Sequence, residues 1–213
     1  MTLALRAGRD ADVPFLAAVL EMAGRGHLPR GAWDLTFPEP RERARALEGI
    51  AGGAVPSWCH RSVFRVAELD GGAGAALVAF DAGVVDQGTL GPALYAVFET
   101  LRWNPERLAE VGPRLAPFTR CFPDMPAGTW IVENVGTRPE CRRRGLVRAL
   151  LEDALASGRK AGCRTAQNSC LIGNDPAQRA YEGVGFRVVE ERRDAEFERL
   201  LGAPGYSRMT LVL

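Results

Sequence analysis

The stretch TWIVENVGTRPECRRRGLVRALL, residues 129–151, decides how this chain is read. Its first nine residues carry the apolar side chains Trp130, Ile131, Val132 and Val135, and they read as a strand over Thr129–Thr137 that Pro139 ends. From Gly145 the period changes: Leu146, Val147, Leu150, Leu151, Ala154 and Leu155 recur at helical spacing, which predicts a helix over Gly145–Ala161 that stops at Gly162. A strand that enters a helix through a turn leaves the first helical N–H groups free, and the helix dipole adds positive potential there. Arg142, Arg143, Arg144 and Arg148 surround that turn with forked donors, and Gly145 has no Cβ to hold an anion away. These features suit a pyrophosphate. The run of arginines alone would also suit a solvated basic turn, and the stretch contains neither GxxxxGK[ST] nor GxGxxG.

Downstream, Arg164–Cys170 reads as a strand, Asn174 can cap a helix running through Tyr181, and Phe186–Glu191 and Ser207–Leu213 read as closing strands. Upstream, Leu3–Arg6 reads as a strand, and Asp10 is an N-cap candidate for a helix to about Met22. Pro38–Ile50 reads as a second helix, and Val63–Leu69 with Gly74–Phe80 as a hairpin around Asp70-Gly71-Gly72. Residues 83–127 interrupt this order. Pro92–Trp103 and Pro105–Val111 read as short helices, and Pro113, Pro117, Pro123 and Pro126 imply irregular chain for the rest. The expectation is an α/β fold: a single domain over 1–213, with a mixed central sheet flanked by helices and a helical insertion at 83–127 before the strand at 129–137.

Composition narrows the function classes. The 213 residues are 46% hydrophobic and 25% charged, ordinary values for a globular chain. The formal charge is +1, so nothing calls for nucleic acid or an anionic membrane as partner. Residues 141–164 nevertheless hold seven basic and two acidic side chains. No apolar run approaches the ~20 residues of a membrane span, and no export signal precedes Arg6, Arg9 and Asp10. Five cysteines with no CxxC pair, and only His27 and His60, suit reduced thiols in a cytoplasmic protein without a metal.

A second run, GNDPAQRAYEGVGF at residues 173–186, spells NxxAxxxYxxxGF. In this order and at this separation from RxxGxV at 142–147, it closely resembles the GNAT superfamily of acyl-CoA-dependent N-acyltransferases. The resemblance covers about residues 129–191, extends in element order to 1–82 and is absent over 83–127. It implies acetyl-CoA as co-substrate. It places Val135, Gly136 and Thr137 along the pantetheine arm, with Arg142, Arg143, Arg144, Gly145, Leu146 and Val147 around the pyrophosphate. Val147 stands where the family has glycine or alanine; its N–H donor remains, but its branched side chain crowds the site. Asn174 matches the residue that contacts the arm, and N-capping is an equal role for it.

Tyr181 matches the family's general acid for the departing thiolate, the other reading being a packing tyrosine. Glu133 is the candidate base, since only a free amine attacks a thioester. Alternation puts it on one face of its strand with Ile131, Val135 and Thr137, and a salt-bridged glutamate is the plainer reading. His27 and Trp33 are candidate acceptor contacts from the loop after the first helix, and Tyr95 and Trp103 are candidates from the insertion. The insertion holds five acidic residues against four arginines, so the expected acceptor is a small molecule with one amine and an apolar portion, not a polycation. A non-catalytic acyl-CoA sensor is the competing function, and a homodimer is compatible with the sequence.

Overall fold

The structure is a computed structural model that describes residues 2–213. Seven strands form one mixed sheet: β1 (Leu3–Ala7), β2 (Phe64–Leu69), β3 (Gly72–Asp81), β4 (Thr129–Thr137), β5 (Thr165–Leu171), β6 (Arg187–Arg193) and β7 (Gly205–Val212). Their spatial order is β1-β2-β3-β4-β5-β7-β6; β4 and β5 run parallel, and every other pair is antiparallel. A parallel pair needs a crossover, and the helix α7 (Leu146–Lys160) supplies it.

Apolar side chains fill both faces. On one, α7 and α8 (Asp175–Glu182) cover Val132, Ala166, Cys170 and Met209 with Leu150, Leu151, Ala154 and Tyr181. On the other, α1 (Val13–Arg25), α2 (Ala32–Thr36) and α3 (Pro40–Gly52) bury Leu16, Leu20, Phe37, Leu47 and Ile50 together with Val66, Val78 and Ile131. The helix α1 lies close on β4, where a Cβ at Gly136 would come within 3.0 Å of Val19. Asp10 does not cap this helix. It belongs to a 3-10 turn over Asp10–Asp12, while Asp12 pairs with Arg6 at 2.6 Å and accepts the Arg9 N–H at 2.8 Å.

Residues 90–121 hold three helices: α4 (Leu90–Thr100), α5 (Pro105–Ala109) and α6 (Val111–Cys121). The last corrects the irregular segment expected there. Pro113 falls in the first turn, where its missing N–H has no helical partner, but Pro117 lies in the interior. Burial of Pro117 and Cys121 and the packing of Phe118 against the core outweigh the lost bond. Two short helices, α2 and α9 (Ala195–Leu201), add to the elements expected from the sequence; α9 is bounded by Asp194, whose carboxylate accepts the Phe197 N–H at 2.9 Å, and by Gly202 at φ 93°.

Candidate active site

The site follows from a fault in the sheet. Strands β4 and β5 pair only over Thr129–Ile131 and Thr165–Gln167; beyond Ile131 they part. On its other side β4 stays paired with β3 as far as Thr137. The β4 backbone from Val132 to Thr137 therefore turns a free edge toward β5, ready to bond an extended ligand. The opening joins the two faces of the sheet through one cavity of about 710 Å³, lined from both sides.

Glu133 sits at the point of divergence. It is 7% exposed and lines the cavity, and the Ser169 N–H donates to its Oε1 at 2.8 Å. No arginine pairs with it. Burial pushes its carboxyl up to about 8, against the lowering effect of the Ser169 hydrogen bond. The register of β3 and β4 shifts here, and Asn134 takes a left-handed φ of 50°. This bulge corrects the alternation read from the sequence: Val135 packs on the α7 face with Val132 and Trp130, while Ile131 packs on the α1 face. An asparagine tolerates such a φ better than a β-branched residue, so Asn134 between Glu133 and Val135 was the available signal.

On the α7 face, the loop from Arg142 to Val147 forms an anion cradle. Arg143 at φ 59° and Gly145 at φ 79° are both left-handed, and a Cβ at Gly145 would meet nothing within 4 Å. Among the described residues, none of the N–H groups of Arg143 through Val147 meets a backbone carbonyl. Successive free N–H groups in such a turn, at the start of a 15-residue helix, form a concave anion site. Arg142, Arg143 and Val147 line the cavity. Arg144 is exposed outside it, and the Leu146 side chain is core, so its contribution is its backbone. Asn174 precedes α8 and lines the cavity, and its side chain does not cap the helix. Tyr181 reaches the same cavity from α8, packed edge-on against Phe186. Burial, then the acidic neighbours Cys170 and Glu133, hold its phenol well above the usual range and so protonated; burial likewise pushes the Cys170 thiol up to about 12.

The arrangement is similar to one known family. Residues 92–186 match the model of the Acetyltransferase (GNAT) family. Over these residues the chain is similar to the GNAT acetyltransferases. Its solved structural neighbours include an N-acetyltransferase from Staphylococcus aureus Mu50, at 18% identity and a TM-score of 0.69 over 98% of this chain and 100% of that one. They include a Drosophila melanogaster polyamine N-acetyltransferase that forms N-acetylagmatine, at 18% identity and a TM-score of 0.54 over all of both chains. A third, from Salmonella typhimurium, was solved with acetyl-CoA and matches at 14% identity and a TM-score of 0.52 over 100% and 95%. At these identities the likeness is one of fold. No curated protein matches the chain.

Within this GNAT framework the expected acceptor contacts separate. Trp33 lines the cavity. His27 is exposed beside Gly173 and does not line the cavity, while its neighbours Gly26 and Leu28 do. Tyr95 is 65% exposed on α4 and does not line it. Trp103 is buried against Phe37 and Phe98, its indole N–H bonded to Glu42, so its role in the fold is core packing. The helices α4 and α6 do reach the cavity, through Leu90, Leu94, Leu115 and Phe118. Leu94 and Tyr95 are adjacent and so point about 100° apart around α4, and the sequence offered no way to tell which face of α4 turned inward. Among the described residues no group of three or more His, Cys, Asp or Glu could hold a metal, and no helix is long and apolar enough to cross a membrane.

Proposed function

We propose that the chain transfers an acetyl group from acetyl-CoA directly to the primary amine of a small acceptor. The observation that carries this reading is Glu133, an unpaired buried carboxylate in the gap between β4 and β5, with the N–H cradle and Tyr181 on one face of the sheet and open cavity on the other. The cradle fits a pyrophosphate: free backbone donors, an open approach at Gly145, and Arg142 and Arg143 beside it. The free edge of β4, including Val135, Gly136 and Thr137, fits the amides of a pantetheine arm, as Asn174 does from the opposite wall.

Acetyl-CoA supplies the acyl thioester, and the residues of this chain manage the protons. Glu133 takes the proton that makes an ammonium a free amine. A carboxylate held up to about 8 is a far better base than an exposed one and is poised near neutral pH. Tyr181, kept protonated by burial, gives its hydroxyl proton to the departing sulfur. N–H groups on the free β4 edge hold the carbonyl oxygen as it gains charge.

CoA-thiol release with a panel of amines tests the reading. Tyr181→Phe should lower kcat by ~10²–10⁴-fold with acetyl-CoA affinity intact. Binding of acetyl-CoA without thiol release for any amine would make the chain a sensor and overturn the enzyme.

A further inference from the structure

We propose that the acceptor is an arylalkylamine: one primary ammonium on a short chain that ends in a flat apolar ring. The proposal rests on the acetyltransferase reading above and names the substrate class of that same site. Two features of the cavity carry it, its wall and its charges.

The wall lies on the face of the sheet opposite the anion cradle. Trp58, Phe122 and Phe118 lie nearly parallel in series, with centroids 6.2 and 5.0 Å apart and interplanar angles of 20°. Tyr206 of β7 meets Phe118 and Phe122 edge-on at 5.7 and 5.4 Å, and Phe197 supports it from behind. The Trp58 indole N–H is already bonded to the Gln87 carbonyl at 3.2 Å, so this residue offers the cavity its ring and not a donor. Leu94 and Leu115 complete the surface. Rings fixed against one another in this way form a rigid aromatic wall, which suits contact with an apolar ring. They do not close around a cation as a cage does.

The charges exclude a second cation. The carboxylates that line the cavity are Glu21 and Glu133. Glu21 is bonded by Arg25 at 2.8 Å and Arg43 at 2.7 Å, and both arginines also meet Asp34, at 2.6 and 3.3 Å. That network is closed and neutral, so Glu133 is the one lining carboxylate without a cationic partner among the described residues. The first ammonium of an acceptor takes it. A second would face the apolar wall of Leu90, Leu94 and Leu115, with no carboxylate left to pair it.

The test compares 2-phenylethylamine with agmatine and 1,4-diaminobutane on the full chain. It reads thiol release and also the quenching of tryptophan fluorescence, since Trp33 and Trp58 line the cavity. The arylalkylamine should exceed both dications in kcat/KM by at least ~100-fold, the penalty of an unpaired buried charge. Phe118→Ala should raise its KM by about tenfold through the lost ring contact, with acetyl-CoA affinity unchanged. Turnover of the dications at equal or greater kcat/KM overturns this proposal and leaves the acetyltransferase reading standing. Saturable quenching by 2-phenylethylamine alone, without thiol release, does the reverse. Neither quenching nor turnover by 2-phenylethylamine overturns the arylalkylamine proposal.

Discussion

Glu133 is the residue at which fold and chemistry conflict most directly. An ionised carboxylate buried without a cation destabilises the native state, and the single N–H of Ser169 does not offset this. Its folded value of about 8 lies above the ordinary 4.5, so folding binds a proton between those limits. The stability this proton confers is complete below pH 4.5, declines as pH rises toward 8, and is absent above. Glu133→Gln keeps an oxygen to accept the Ser169 N–H and removes the charge. It should raise Tm by several degrees at pH 9 and by less than ~1 °C at pH 4, in parallel thermal melts. The same variant should lose the acid limb of the pH–rate profile, which in the native enzyme rises to a plateau above about pH 8. A gain in stability coupled to a loss of rate is the pattern of a group retained for catalysis; a buried glutamate without that role would show the gain and leave the pH–rate profile unchanged.

The segment from β4 to α8 was legible because each boundary carries its own chemical mark: period two, then Pro139, then period 3.6 from Gly145 to Gly162, then Asn174. The observed β4 and α7 match that reading within a residue at each end. What was illegible has physical causes. Helix α6 contains Pro117 in its interior, which local propensity rejects, and only the packing of Phe118 and Cys121 against distant residues restores it. The bulge at Asn134 turns Val135 to the opposite face, which no count of alternating residues reveals. The four arginines around the cradle read alike in sequence, yet Arg142, Arg143 and Arg148 line the cavity and Arg144 does not. The cradle itself is open to a direct test by calorimetry. Gly145→Glu should weaken acetyl-CoA by at least ~100-fold, because a carboxylate would stand among the donors meant for phosphate. Gly145→Ala has room for its Cβ and carries only the ~1 kcal/mol of a left-handed alanine. Its affinity should stay within a few-fold of native, and an equal loss in both variants would mean that backbone shape, not charge, governs the loop.

Across the whole molecule, each face of the sheet has its own packed layer, and the cavity threads between them through the gap in the sheet. Ligand binding at such a place should stabilise the entire domain: acetyl-CoA at 100 times its Kd should add ~2.7 kcal/mol to unfolding, read as a rise in Tm. A further consequence lies in the short pairing of β4 with β5. Three residue pairs, Thr129–Thr165 to Ile131–Gln167, are the whole hydrogen-bonded seam between a four-stranded blade, β1 to β4, and a three-stranded blade, β5 to β7. The seam is a flexure, and a ligand arm laid along β4 acts as the missing stitching. Amide deuteration should register this. Without ligand, the N–H groups of Val132–Thr137 that face the gap should exchange orders of magnitude faster than those bonded to β3, and acetyl-CoA should slow them selectively. The two blades would then breathe as one body only when the protein is loaded.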